Sequence, residues 1–312
     1  MMFVRWPLFL VCLLCGNGMA QPPVTALAFS PAGDRLLVGS QSGIDVRTWP
    51  SLDVVERVES ELSQIHELRF SPDGTKLIVV GGSPSEFGEV DVIAWPERKC
   101  LASGVEHDDV IYSAVWLAND RFVTGGADNQ LIEWELADNN LVDTKRLNGH
   151  SRRVLAVEAV SRARIVVSAG VDQSLRVWKE SSAQRVLDNH QGIVRDLAVR
   201  PGDDAIPYVA SASADKTVRL WQPTIGRLVR FARLPVEPLS IAWTNDGKYL
   251  AVACVDGKLR IVNTTTVKIV AELAAVEGWA YEVLAARDGS FVVGGAKGQL
   301  VRVVAPWDQL SK

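Results

Sequence analysis

The chain has 312 residues, 47% of them apolar and 22% charged, with ten Trp against four each of His, Cys and Tyr. That length is ample for a buried core and the mixture excludes a disordered or collagen-like chain, while four Cys are too few for a disulfide scaffold. With 33 basic against 37 acidic residues, a formal charge of -4 and no basic run longer than two, nucleic-acid binding is not expected.

Residues 1–20, MMFVRWPLFLVCLLCGNGMA, read as an export signal: Arg5 supplies a basic n-region, Trp6 to Cys15 an apolar stretch, and Gly18-Met19-Ala20 a cleavage site. The apolar stretch is shorter than the roughly 20 helical residues that span a bilayer, so cleavage is expected to leave no membrane span. Leu14 stands where a lipobox wants a small residue, which disfavours lipidation at Cys15. Cys12 and Cys15 form C-x-x-C, but Gly16 follows where haem attachment needs His. Residues 21–312 then form the mature domain, secreted or periplasmic, in which Cys100 and Cys254 are expected as free thiols.

After residue 20 no segment carries a sustained helical period, and short β-branched runs are punctuated by Gly, Asp, Asn and Pro, which predicts an all-β chain. The opening run Val24–Leu37 echoes Ile65–Ile78, and similar strands recur near Ile111, Val154, Val194, Pro238 and Ala280. Their spacing averages about 43 residues, inside the range of a four-stranded propeller blade. Trp49, Trp95, Trp134, Trp178 and Trp221 are each expected to close a third strand, with Val262 and Val303 in the same place in the last two units. Trp116 and Trp243 end first strands in the apolar position of Phe29. Seven units predict a seven-bladed β-propeller, in which radial stacking buries both faces of each sheet.

Units three to five carry a denser pattern: His107, Thr124, Asp128 and Trp134; His150, Ser168, Asp172 and Trp178; His190, Ser211, Asp215 and Trp221. In all three the hydroxyl residue lies ten positions and the Asp six positions before the Trp. On these residues the chain resembles the WD40-repeat propellers, in particular exported bacterial ones. The resemblance implies that each set is a structural hydrogen-bond chain of Trp, hydroxyl, His and Asp. It also implies that the face carrying the fourth-to-first and second-to-third strand loops contacts partners. Unit six keeps Asp256 alone, and units one, two and seven keep only the strand pattern.

An Asp, a His and a hydroxyl together invite a hydrolase reading, but three copies in one chain favour structure, since an active site needs one. Gly294–Gly298 resembles a phosphate loop without a helix behind it and reads as a turn. His66-Glu67 begins a zinc-like string that Phe70 ends, and no other His or Cys pair has zinc spacing. Asn263-Thr264-Thr265 is a glycosylation acceptor only in a eukaryotic setting. A propeller enzyme or redox subunit would need inward-facing carboxylates, His or Asn converging on the channel to hold a metal, and no such set is expected. Catalytic residues, metals and cofactors are therefore not anticipated.

Unit two is five residues longer than unit one, and the excess is expected to carry Phe87 onto the contact face in a loop at Gly82–Gly88. Trp279, Arg153 and Glu237 precede first strands on that same face and complete the candidate partner-binding set. The expected function is a non-enzymatic, monomeric protein-interaction scaffold. The last unit needs an outer strand from residues 305–312, near Trp307–Leu310, or remains three-stranded with an open edge.

Overall fold

Runs of β-branched and apolar residues set strands of four to eight residues, and Gly, Asn, Asp and Pro close them into tight antiparallel turns. The computed structural model describes residues 21–310 apart from Glu59, Glu61 and Ser63. Residues 1–20, expected as an export signal and carrying Trp6, Cys12 and Cys15, lie outside the described residues. Six four-stranded sheets and one three-stranded sheet, each built from strands consecutive in sequence, form seven blades around a channel. The inner strands are Ala26–Phe29, Ile65–Phe70, Ile111–Trp116, Val154–Val160, Val194–Val199, Pro238–Trp243 and Ala280–Ala285. Consecutive inner strands touch around the ring, and the last touches the first. The Val24 N–H also donates to Gly295 O at 3.1 Å, tying the start of blade 1 to blade 7.

The core is a series of layers between blades. Leu37, Ile44 and Val46 of blade 1 pack against Ile65, Leu68 and Leu77 of blade 2, and comparable layers recur around the ring. A strand covered on both faces has no polar side to show, which is why Ile165–Gly170 is buried at every position. Close approach is needed at its end: a Cβ on Gly170 would lie 2.0 Å from Arg153 O.

Two expectations are corrected, and among the described residues the alternatives for the last blade are decided in favour of three strands. The residues paired with Phe122, Val166 and Val209 of the second strands are Trp134, Trp178 and Trp221, but the equivalent partners in blades 1 and 2 are Arg47 and Ile93. Trp49 and Trp95 therefore lie two residues past the tetrad position, just beyond their strands. There they pack edge-on against Phe29 and Phe70 at 5.0 and 5.3 Å. Pro50 and Pro96 follow them, and a residue without an N–H ends the ladder at that point. The added residues of unit two do not make a loop. They lengthen the hairpin to Lys76–Ser83 and Phe87–Ala94 around a three-residue turn. Trp307–Leu310 is a short helix, not an outer strand, so among the described residues blade 7 has three strands. Trp307 donates from Nε1 to Gly289 O at 3.0 Å and packs on Phe291 and Tyr249, which draws the tail across the blade rather than along its edge.

The remaining landmarks are simpler. Gly294 and Gly295 end the second strand of blade 7 and residues 296–299 turn into the third, closed by Gly298 N–H to Gly295 O at 3.2 Å. Cys100 is an exposed free thiol and Cys254 a buried one.

Candidate functional site at the channel mouth

The three His sets assemble as closed chains. Trp134, Trp178 and Trp221 each donate from Nε1 to Thr124, Ser168 and Ser211 at 2.8 Å. Those hydroxyls meet Nε2 of His107, His150 and His190 at 2.7 Å. The imidazole Nδ1 atoms meet Asp128, Asp172 and Asp215 at 2.7–2.8 Å. Each Asp also accepts backbone N–H bonds from the residue after the His and from its own turn, so it fastens the loop entering the blade to the loop between strands two and three. The three hydroxyl residues are 0% exposed. A substrate has no path to a nucleophile that is sealed and already receives an indole N–H. Burial works to raise Asp172 and Asp215, but hydrogen bonds from His150 and Ser174, and from Thr217 and His190, outweigh it and hold both carboxyls at about 2.

Blade 6 solves the same problem differently. It lacks the tetrad His and has Val262 at the tetrad Trp position, and Arg260 forms a two-pronged pair with Asp256 at 2.9 and 2.7 Å while 98% of its surface is covered.

The channel has a volume of about 680 Å³ and is walled by inner strands. In blades 2 to 7 the pairing of first and second strands slips by one residue, leaving His66, Tyr112, Leu155, Arg195, Leu239 and Tyr281 as the extra residues. A bulge re-aims its extra side chain, and all six line the channel. His66 and Tyr112 meet edge-on at 5.0 Å, and burial lowers the imidazole to about 4, so it is neutral at physiological pH.

The next residue along each inner strand reaches sideways. Ser113 Oγ accepts the Val157 N–H at 3.1 Å, Asp196 accepts the Ile241 N–H at 2.7 Å, and Ser240 Oγ accepts the Val283 N–H at 3.3 Å. These contacts staple blade 3 to 4, 5 to 6 and 6 to 7. Glu67 and Glu282 hold the same strand position in blades 2 and 7, and Glu158 enters from blade 4. Arg69 pairs with Glu158 at 2.7 Å and Glu67 at 3.1 Å. The channel thus holds Glu67, Glu158, Asp196 and Glu282 near the Arg69 guanidinium, a convergence of carboxylates that the sequence reading did not anticipate. Among the described residues no three His, Cys, Asp or Glu are placed to hold a metal ion.

Of the candidate contact residues, Trp279 lines the channel mouth with 51% of its surface exposed and its ring edge-on to Tyr281 at 5.8 Å. Its carbonyl accepts the Ala296 N–H at 2.9 Å, fixing the backbone beneath it. Glu237 is ion-paired to Arg195 of the channel wall. Phe87 and Arg153 are exposed and lie outside the channel lining, Phe87 at the tip of the lengthened hairpin. The structure therefore brings Trp279 against Tyr281 at the channel mouth, ties Glu237 to Arg195 of the channel wall, and leaves Phe87 and Arg153 outside the channel. Among the described residues no helix is long and apolar enough to cross a membrane.

Comparison with known proteins agrees with this architecture. The family model described as WD domain, G-beta repeat matches residues 11–44, 141–179 and 181–222, and the Anaphase-promoting complex subunit 4 WD40 domain matches 209–281. The chain is 27% identical over 252 residues to Protein HIR1 of Cryptococcus neoformans, covering 70% of this chain and 27% of that protein. It is 25% identical over 272 residues to SIR4-interacting protein SIF2 of Saccharomyces cerevisiae, covering 80% and 48%. It is 26% identical over 263 residues to Actin-interacting protein 1 of Drosophila melanogaster, covering 77% and 42%. The chain thus spans between about a quarter and a half of the length of these relatives. Blade topology, three complete hydrogen-bond tetrads and these matches agree: the chain belongs to the WD40-repeat family of β-propellers.

Proposed function

We propose that this propeller is an exported, non-enzymatic scaffold that binds a protein partner across the channel-mouth face, with Trp279 as the anchor. The observation that carries the reading is a half-exposed Trp seated on a backbone fixed by blade 7, edge-on to Tyr281 and lining the mouth of the channel. Large aromatics on rigid ground with polar neighbours are the residues that dominate interface energetics. Phe87 and Arg153 extend the same face. Two relatives whose names describe interaction with SIR4 and with actin support a binding role. Residues 1–20 are the export signal, the mature chain is secreted or periplasmic and monomeric, and its acidic balance keeps it off nucleic acid. Affinity capture from the native envelope fraction tests this. A partner retained by the wild type and lost with Trp279→Ala supports the reading; equal retention by both rejects Trp279 as the anchor.

The channel carboxylates favour a second reading, a propeller enzyme of hydrolase or lactonase type or the propeller subunit of an envelope redox complex. Against it, Glu67 and Glu158 are engaged by Arg69, and Asp196 by the Ile241 amide. Bound metal on elemental analysis, with no partner captured, would favour the enzyme.

A further inference from the structure

On the face opposite the channel mouth, the turns between first and second strands are linked from blade to blade. Asn119 Oδ1 of blade 3 accepts the Asp73 N–H of blade 2 at 3.1 Å, and Arg162 of blade 4 pairs with Asp203 of blade 5. Arg200 Nε donates to Gly247 O at 2.9 Å, Asn245 Nδ2 to Ala286 O at 3.1 Å and Arg287 to Pro31 O at 2.8 Å, joining blades 5 to 6, 6 to 7 and 7 to 1. Between blades 1 and 2 the turns are in contact: a Cβ on Gly74 would lie 2.7 Å from Pro31. The seam between blades 3 and 4 has no turn-to-turn link among the described residues. Turn length supplies the cause. Six residues separate Phe29 from Leu36, Phe70 from Leu77 and Trp243 from Leu250, but five separate Trp116 from Phe122 and four separate Val160 from Ile165. A shorter turn reaches less far across its seam.

The gap is a cleft of about 510 Å³. Its floor is apolar, made by Val123 and Leu147 of blade 3 and Val166 and Trp178 of blade 4, all part of the layer packed between the two blades. Arg121 and Arg164, the last residues of the two short turns, line the same cleft. The backbone at Arg164 is held at φ 51° and ψ 44° by its own N–H to Ser161 O at 3.1 Å, a left-handed conformation that long side chains rarely adopt. Among the described residues neither guanidinium has an ion-pair or hydrogen-bond partner. Of the two acids lining the cleft, Glu133 receives the Ser181 hydroxyl and Glu180 stands exposed at the outer turn. The unengaged charge around the cleft is therefore two positive to one negative.

We propose that this cleft binds a small amphipathic anion, its apolar body on the floor between blades 3 and 4 and its carboxylate held by Arg121 and Arg164. The volume falls within the roughly 300–1,000 Å³ of small-molecule sites, and an apolar lining with a few polar groups is their usual composition. A guanidinium presents paired donors that match a carboxylate and is weakly hydrated, so it suits a head group at the edge of an apolar surface. A neutral ligand would leave both guanidiniums unused, and a cation would meet them with like charge. The bound molecule would touch both blades and supply the link that their turns lack. The cleft lies on the face opposite Trp279, so its occupation is independent of a partner at the channel mouth.

Octanoate tests the proposal, with 1-octanol as its uncharged analogue and octylammonium as its cationic one, each titrated calorimetrically into the intact protein. The wild type should bind octanoate at least about threefold more tightly than either analogue, a preference that shrinks at high ionic strength. Arg121→Gln and Arg164→Gln should each weaken octanoate about threefold to tenfold and leave octanol unchanged. Ser161→Trp, an exposed substitution at the lip of the cleft, should abolish octanoate binding without disturbing the core. No octanoate binding by the wild type, equal binding of octanoate and octylammonium, or unchanged octanoate affinity in both arginine variants would overturn the proposal. The comparison of the three probes on the wild type decides the matter even if a variant fails to fold. Ser161→Trp should still retain a partner captured through Trp279, so the two readings fail separately.

Discussion

Removing a single oxygen from Ser211 should destabilise the protein far more than the size of the change suggests. Its hydroxyl takes the Trp221 indole N–H at 2.8 Å and meets His190 Nε2 at 2.7 Å, wholly out of solvent. Ser211→Ala leaves both partners in place, buried and without a replacement. Each orphaned polar group costs roughly 1–3 kcal/mol, so the variant should lose about 2–6 kcal/mol. At roughly 2–4 °C per kcal/mol for domains of 150–250 residues, Tm should fall by at least about 4 °C. Trp221→Phe is the informative partner: it keeps most of the ring and removes the donor, leaving the Ser211–His190 contact intact, and should cost less than Ser211→Ala. Ser182→Ala on the exposed outer strand of blade 4 is the control and should lie within about 0.5 kcal/mol of the parent. Urea and thermal unfolding of the three variants measure the order. If Ser211→Ala melts with Ser182→Ala, the hydrogen-bond chain does not hold the blade and the structural assignment of the tetrads fails.

Arg260→Ala in blade 6 should cost about 1.5–3 kcal/mol, the range for a hydrogen bond to a charged group, because Asp256 is partly exposed and retains some hydration. Chemical denaturation checks it, and a change under about 0.5 kcal/mol would show the pair to be dispensable. The tetrad carboxyls predict acid sensitivity of defined sign. With Asp172 and Asp215 held at about 2 in the fold, their stabilisation is complete above the unfolded value of about 3.9 and is lost as pH falls through 2. Melting from pH 5 downward should show that loss, and Asp172→Asn should flatten it; parallel curves for variant and wild type would contradict the assignment.

The seven units were legible because each blade is one cooperative β unit with its own turn chemistry, and the Trp, hydroxyl and Asp spacing of ten and six follows directly from a hairpin register. The same counting failed at Trp49 and Trp95. These residues stand two positions beyond the tetrad register, and only the pairing of Leu36 with Arg47 and of Leu77 with Ile93 reveals it. The channel carboxylates were missed for a related reason. Glu67, Asp196 and Glu282 each stand two residues after an apolar strand start and just before an apolar residue in IHELRF, VRDLAV and AYEVLA, a pattern that reads as ordinary alternation with a solvent face. Aligning the inner strands would have placed all three at one position with Ser113 and Ser240. That the outward face of an inner strand is a shared channel follows from ring closure, which no local pattern encodes. For the tail the sequence leaves an added strand and a three-stranded blade equally open, and it is the contacts of Trp307 with Phe291, Tyr249 and Gly289 O that accompany a helical turn and three strands.

The central claim is that the channel-mouth face, and not the rim of the blades, meets the partner. Photo-crosslinking tests it most directly, with a photoreactive residue placed at Trp279 and, separately, at Val186, which is 50% exposed on the outer strand of blade 4. Both proteins should melt like the wild type, because neither side chain is part of the core. In the native envelope fraction, position 279 should give one discrete crosslinked protein, competed away by unlabelled wild type, and position 186 should give none. Equal crosslinking at both positions, or a product at 186 alone, would place the contact elsewhere and contradict the account.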